Sequence, residues 1–501
     1  MSRLARNILF NIIGQGLVLL LGFVAVKYIF SLLGDDALGI IYFSALINSI
    51  LMGVLEKGVY STAVREISIN AKSDVVYTRE FIRTGTLLTW GAVLIFGVII
   101  YILAPLFVEH WIKVVIVSES DAINSLRILG ISSLSAFPLS FYASILRGLQ
   151  RMEYNNIIDV ATTALQQLGV VVVILVSGNF LWVVLWLATS YMIKIITYLF
   201  VCVRFFPVTN FVPGFSANVI KRVSGFSLKM IYISVLSMLH KQTDKVVLSK
   251  IETIGVLGYY GFVYNAISKA GLLTLAISNA AYPSFCDLST REDQSDLLGQ
   301  FRKLVELVLY VTVPIFALII YIAPPLFTFV FNEMVSQQLF VPVILLCIGF
   351  YLNGTLSVPY RLILATGKPE IAVRQNILAL IFVLPITVLL VYRYGIVGAA
   401  TGWVLYFVFG YVYILPKIYR KCLQCSSIEF FQMFVRVTMI AIISYFAVFY
   451  YIYLEYRLDI FELLVAYIIA TAIFLIVAYL SISELLRLTI NRYASSILRL
   501  K

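Results

Sequence analysis

Apolar stretches long enough to cross a bilayer recur from one end of this 501-residue chain to the other, and they limit its fold more than any other feature. A helix rises about 1.5 Å per residue, so about 20 apolar residues cross the hydrocarbon core. The runs lie at 8–30, 38–62, 84–107, 124–147, 157–177, 181–203, 226–248, 256–284, 304–327, 340–365, 372–392, 396–416, 430–453 and 460–481. A water-soluble core has no use for so many. They predict an all-α polytopic membrane protein of about fourteen transmembrane helices.

The polarity that remains sits in short connectors. Hydrophobic residues make up 61% of the chain and charged residues 12%, against about 25% charged in a soluble domain. The longest polar runs, near 66–80, 204–225 and 286–300, are too short for a separate catalytic head. The first apolar run exceeds a signal-peptide core and lacks a small-residue cleavage site, so it reads as a retained helix.

Loop charges orient the chain. Arg3, Arg6, Arg65, Arg79, Arg147, Arg151, Lys221, Arg222, Lys368, Arg420 and Lys421 fall in alternate loops, while the intervening loops carry few basic residues. Cytoplasmic loops collect Lys and Arg, which places both termini inside. The same rule accounts for the net charge of +12, with an anionic cargo as the other source. No basic cluster with interleaved aromatics marks a nucleic-acid site. The five cysteines all fall in spans or on the inner side, which fits reduced thiols. Cys422 and Cys425 form a CxxC, but no second pair or histidine joins them as a metal site. No phosphate-binding loop is present, and no cofactor is expected.

A weak internal repeat is visible. Leu38-Gly39 enters the second span as Leu257-Gly258 enters the eighth. Arg147-Gly148 leaves the fourth as Thr366-Gly367 leaves the tenth. Gly39 with Gly258, and Gly148 with Gly367, are both 219 residues apart. The repeat divides the chain into six-helix lobes at 1–205 and 226–418, joined by a cytoplasmic connector at 206–225. Two additional helices at 430–481 and a cytoplasmic tail at 482–501 follow. Many transporters are built from such halves.

These residues carry a family resemblance. The turn Leu33-Gly34-Asp35-Asp36-Ala37-Leu38-Gly39, the segment Asp244-Lys245-Val246-Val247-Leu248 with Ile254-Gly255-Val256-Leu257-Gly258, and the exit Ala365-Thr366-Gly367-Lys368 resemble their counterparts in polysaccharide-unit transporters. Over its whole length the chain resembles the multidrug/oligosaccharidyl-lipid/polysaccharide exporter superfamily, and within it the O-antigen flippases of the Wzx type. The resemblance implies two pseudo-symmetric lobes in a V-shaped carrier in the bacterial inner membrane. Its cargo would be an undecaprenyl-diphosphate-linked oligosaccharide, an O-antigen or similar repeat unit. The carrier would move it from the cytoplasmic to the periplasmic leaflet by alternating access. Membrane lipids and polysaccharide polymerase or assembly proteins would be its partners.

Lumen residues do not transfer by motif and are read from the chain alone. A charge at the bilayer centre costs at least about 2.5–3.5 kcal/mol on insertion scales, so it faces a polar cavity or a partner. Lys194 and Lys269 lie near the middle of their spans. With 256–284 taken as one continuous helix, Asn265, Ser268, Lys269 and Asn279 share a stripe, readable as a cargo path or as helix–helix contact. Arg361 sits in the inner third of its span, as a path residue or an interfacial anchor. Lys27 reads as a path residue or as a snorkelling lysine. Lys241, Asp244 and Lys245 share a face and read as a path or a structural ion pair, with Asp244 the carrier of any proton or sodium coupling. Lysine and arginine suit a lipid diphosphate, and Ser, Asn and Tyr suit sugar hydroxyls.

Two rival readings use the same spans. A cation-coupled multidrug exporter needs a buried acid facing its path. A membrane enzyme acting on polyprenyl lipids needs a large outer loop or a carboxylate pair. The outer segment 108–121 is short, and the chain has only two histidines, His110 and His240.

Overall fold

The computed structural model describes residues 3–55, 60–290, 294–454, 459–484, 486–488 and 491. Side chains of 3–13, 54–55, 226–230, 232–233, 237, 290, 294 and 451–454 are outside that description. Most of the tail expected at 482–501 is outside it as well. Two compact units divide at 262/263.

The first unit begins with α1 (Arg3–Leu33), α2 (Asp35–Leu55), α3 (Ser61–Asn70) and α4 (Val75–His110). It continues through α5 (Glu119–Ser133), α6 (Ala136–Gly148), α7 (Met152–Ser177), α8 (Phe180–Val203) and α9 (Ala217–Ile251), then the first half of α10 (Ile254–Ala270). The second unit holds the rest of α10, α11 (Leu272–Thr290), α12 (Gln294–Val330), α13 (Glu333–Ala365) and α14 (Glu370–Lys421). It ends with α15 (Ile428–Ala441), a π-turn over Ile442–Phe446, α16 (Ala447–Leu454) and α17 (Ile460–Ser481). Among the described residues, extended pairing is confined to one bridge between Lys113 and Thr253.

Eleven helical stretches among the described residues are long and apolar enough to span a membrane. One is α14, whose backbone leaves helical geometry at Gly395 (φ 53°, ψ −127°), between the predicted spans 372–392 and 396–416. The shorter α10 and α11, and the more polar α9, cover 226–248 and 256–284. Among the described residues, the predicted spans fall largely in helix, with 256–284 divided between α10 and α11 and residues 56–59 of the span 38–62 outside the description. Large apolar side chains are exposed along α4 (Leu94, Ile95, Val98, Ile102) and α17 (Ile468, Ile476, Leu480), the kind of surface a bilayer covers. This is a multi-pass membrane protein.

The ends of the helices follow local chemistry. The carboxylate of Asp74 accepts the Tyr77 N–H, and the amide oxygens of Asn179 and Asn332 accept those of Leu181 and Val335, which satisfies first-turn donors. The α7 C-terminus closes on Gly178 in the left-handed region (φ 59°).

The unit boundary does not fall in the connector at 206–225. Helix α9 packs on α2, as does the start of α10, so both belong to the first compact unit. The polar run 66–80 is also more ordered than a connector, since most of it is α3 and the start of α4. Glu66 there is buried and accepts from the Tyr77 hydroxyl at 2.9 Å, with Arg222 3.7 Å away.

Candidate functional site

Membrane helices bury polar groups where the groups pair or line a cavity. In the second unit, the end of α10, α11 and α13 enclose a polar pocket of about 180 Å³. The run expected as one helix over 256–284 is interrupted at Gly271, where α10 ends and α11 begins. The Gly271 N–H turns back to the Ser268 carbonyl at 3.2 Å. Gly271 lines the pocket, so the irregular backbone sits where a cavity receives it. The first N–H groups of α11 lack intrahelical acceptors and carry the positive end of its dipole.

The rest of the lining is hydroxyl, amide and guanidinium: Ser268, Thr274 and Ser278 on one side, and Asn353, Ser357, Tyr360 and Arg361 on α13. Arg361 donates to the Asn279 amide oxygen, which leaves the amide nitrogen of Asn279 as a further donor. Among the described residues, no Asp or Glu lines the pocket. The Tyr360 hydroxyl is held by the Gln375 amide oxygen at 2.8 Å. Chemically, Arg361, the Asn279 amide nitrogen and the first α11 N–H groups offer donors to an oxyanion, while the hydroxyls of Ser268, Thr274, Ser278 and Ser357, which already donate to carbonyls, offer acceptors to polyhydroxyl groups.

The sequence candidates do not all converge there. Ser268 and Arg361 line the pocket, and Asn279 joins it through Arg361. Lys269 and Asn265 are exposed on the last turns of α10, outside the lining. The break at Gly271 shows why: the stripe that joined them to Asn279 assumed an unbroken helix.

The remaining candidates lie in the first unit. Lys194 on α8 pairs with Asp159 on α7 at 2.8 Å, and Asp159 also accepts from the Tyr198 hydroxyl at 3.1 Å. Lys245 is buried, donating to the Lys241 carbonyl at 2.9 Å and lying 3.2 Å from Asp244. Asp244 is buried too and accepts from the Tyr260 hydroxyl at 3.1 Å. Lys241 is exposed and Lys27 half-buried.

Sequence reading missed Thr274, Ser278, Asn353, Ser357 and Tyr360. The α13 set was available: Asn353, Ser357, Tyr360 and Arg361 are spaced as neighbours on one helical face.

Comparison with known proteins was made against this geometry. The profile of the family described as "Polysaccharide biosynthesis protein" matches residues 4–289, more than half of the chain. The chain belongs to that family. Among curated members, a Shigella flexneri protein named as an O-antigen transporter is 20% identical over 398 residues, covering 79% of this chain and 93% of its own. A Klebsiella pneumoniae membrane protein of the cps region is 23% identical over 223 residues, 43% of this chain and 45% of its own. Of solved structures, the lipid II flippase MurJ in an inward closed conformation superposes with a TM-score of 0.73 at 16% identity, covering 94% of this chain and 97% of MurJ. An inward-facing multidrug resistance MATE transporter of the MOP superfamily gives 0.60 at 16% identity, covering 80% and 96%. This polysaccharide biosynthesis protein therefore has the fold of that superfamily. The Shigella relative and the two solved structures are named as transporters or flippases.

Proposed function

We propose that this polysaccharide biosynthesis protein is a flippase for a lipid-linked oligosaccharide. It moves an undecaprenyl-diphosphate-linked repeat unit from the cytoplasmic to the periplasmic leaflet of the inner membrane, with both termini in the cytoplasm. The supporting observation is the pocket at the α10–α11 break, where Arg361 and the Asn279 amide nitrogen supply donors, the hydroxyls of Ser268, Thr274 and Ser357, each already donating to a carbonyl, supply acceptors, and no acid is among them. The diphosphate takes the guanidinium and the free N–H groups of α11, and the first sugars take the hydroxyls. Lys269, on the turn beside the pocket, adds a mobile positive charge along the path.

A drug exporter of the same fold would need an acid open to its cationic cargo. Asp159 and Asp244 are each already matched by a lysine, and Glu306 by Arg436. An anionic cargo fits better.

The test is the identity of the glycolipid that builds up in cells lacking this protein. A polyprenyl-diphosphate oligosaccharide that disappears on complementation supports the reading. Unchanged glycolipids, with increased sensitivity to cationic drugs, would replace it with drug export.

A further inference from the structure

Between α8, which ends at Val203, and α9, which starts at Ala217, the chain runs through a connector pinned to the first unit. A short 3-10 turn over Val208–Phe211 buries Asn210 and Phe211, with the Phe211 ring 5.9 Å from that of Tyr142. The Gly214 N–H donates to the Arg83 carbonyl at 3.2 Å, and Arg83 Nε donates to the Val212 carbonyl at 3.2 Å. Ser216 Oγ donates to the Glu80 carboxylate at 2.8 Å. A β-carbon on Gly214 would stand 2.8 Å from Arg83 Nε, so the guanidinium lies against the connector.

Between these fixed points the connector turns apolar side chains outward. Val208, Val212 and Phe215 are 62%, 50% and 70% exposed, on a segment that crosses no membrane. Three such side chains within eight residues make a patch that an apolar partner covers.

Two arginines set its depth. The exposed apolar face of α4 begins at Leu88, five residues after Arg83 and about 7.5 Å further along the helix axis. The polar layer of a bilayer is about 5–7.5 Å deep on each side. The 212–214 segment bonded to Arg83 therefore lies at the level of the headgroups. At the other end, the Arg204 guanidinium lies 5.0 Å from the ring of Phe200, whose exposure marks the lipid-facing end of α8. Among the described residues, neither Arg83 nor Arg204 is in an ion pair, and Glu80 is the acid bonded to the connector. Positive charge is in excess at a depth where lipid phosphates lie. Loop charges put this end of the bundle inside.

We propose that the connector 204–216 is an interfacial foot that binds an anionic phospholipid of the inner leaflet. Val208, Val212 and Phe215 enter the boundary between headgroups and acyl chains, and Arg83 and Arg204 take the lipid phosphate. The foot holds a bilayer lipid and not the cargo, so it is tested apart from the flippase reading.

The test uses the full-length protein in a cysteine-free background, with a bimane fluorophore on Val212→Cys or Phe215→Cys. The vesicles are phosphatidylcholine mixed with phosphatidylglycerol. Both labels are expected to be quenched more by a nitroxide on the upper acyl chain of a lipid than by iodide from the water. A label on Ser73→Cys, exposed in the α3–α4 turn, shows the reverse. Carried on phosphatidylglycerol, the nitroxide is expected to quench the Phe215→Cys label at least twofold more than when carried on phosphatidylcholine. Arg204→Gln brings that ratio close to one and Arg204→Lys keeps it, with the melting temperature unchanged in both. Labels as open to iodide as Ser73→Cys, or shielded from both quenchers, would overturn the foot. Equal quenching by the two lipids, or a ratio unaltered by Arg204→Gln, would overturn the anionic site.

Discussion

Gly39 and Gly258 meet backbone to backbone, with room for no β-carbon between Gly258 and the Gly39 nitrogen. The two glycines marked the repeat in the sequence, and in the fold they are each other's neighbours. Gly258→Val overpacks this line at a cost of about 1–3 kcal/mol and lowers the melting temperature in detergent. Gly299→Ala on α12, where an added β-carbon meets nothing within 4 Å, is neutral or stabilising. Thermal unfolding of the two variants side by side measures the difference.

Among the described residues, Arg361 is the one charged side chain lining the α11–α13 pocket. Removing a charged donor costs about 1.5–3 kcal/mol. Arg361→Ala is therefore expected to lower export roughly 10- to 100-fold at unchanged protein level. Arg361→Lys keeps the charge but loses the fork onto Asn279 and recovers only part. Asn279→Ala falls between wild type and Arg361→Ala. Complementation of a null strain, with immunoblotting for level, reads all three.

Lys194 and Asp159 bind α8 to α7, so their role is tested by exchange. Lys194→Ala and Asp159→Ala each leave a half-buried charge alone and reduce the amount of folded protein. The swapped pair Asp159→Lys with Lys194→Asp restores it if the pair is structural. A swapped pair that is folded yet inactive would return Lys194 to the cargo path.

Glu306 holds the end of α17 on α12. Its carboxylate accepts the Ser483 N–H at 2.9 Å and the Ser483 hydroxyl, with Arg436 of α15 at 3.5 Å. Glu306→Ala releases both contacts and costs about 1–3 kcal/mol. Limited proteolysis is expected to cut earliest in the segment after α17.

Cys422 and Cys425 lie outside the spans, and burial pushes both thiols above their ordinary range. A raised pKa means less thiolate at a given pH, so alkylation at neutral pH is slower than for a free cysteine and speeds up as pH rises. Replacing both with serine leaves export unchanged. Rapid labelling at pH 7 would contradict this.

The spans were legible because lipid demands long apolar runs, and among the described residues the predicted runs are largely helix, with 256–284 broken at Gly271. Of the two glycine pairs read as a repeat, Gly39 and Gly258 are neighbours in the fold, while Gly148 and Gly367 do not play the same part at their helix ends. Gly367 takes the left-handed turn that ends α13 (φ 67°), and the residue doing so after α6 is Gln150 (φ 60°). Arg151 N–H then bonds the Leu146 carbonyl as Lys368 N–H bonds that of Ile363. A glutamine tolerates this conformation at modest cost, so matching glycines picked the wrong partner.

The pocket was half legible. Arg361 stood out as a charge within a span, and Asn279 and Ser268 as polar residues beside it. Their meeting depends on the break at Gly271, which a hydropathy run does not show. Lys194 stood out by the same rule, yet its partner Asp159 lies 35 residues earlier in the chain, on a neighbouring helix. Composition marks a buried charge; only packing shows whether that charge is already matched.

The most direct measurement is transport by purified protein in sealed vesicles loaded with a labelled polyprenyl-diphosphate oligosaccharide. Lectin added outside should gain access to the sugar with wild-type protein and far more slowly with Arg361→Ala. Equal rates with wild type, Arg361→Ala and empty vesicles would contradict the account.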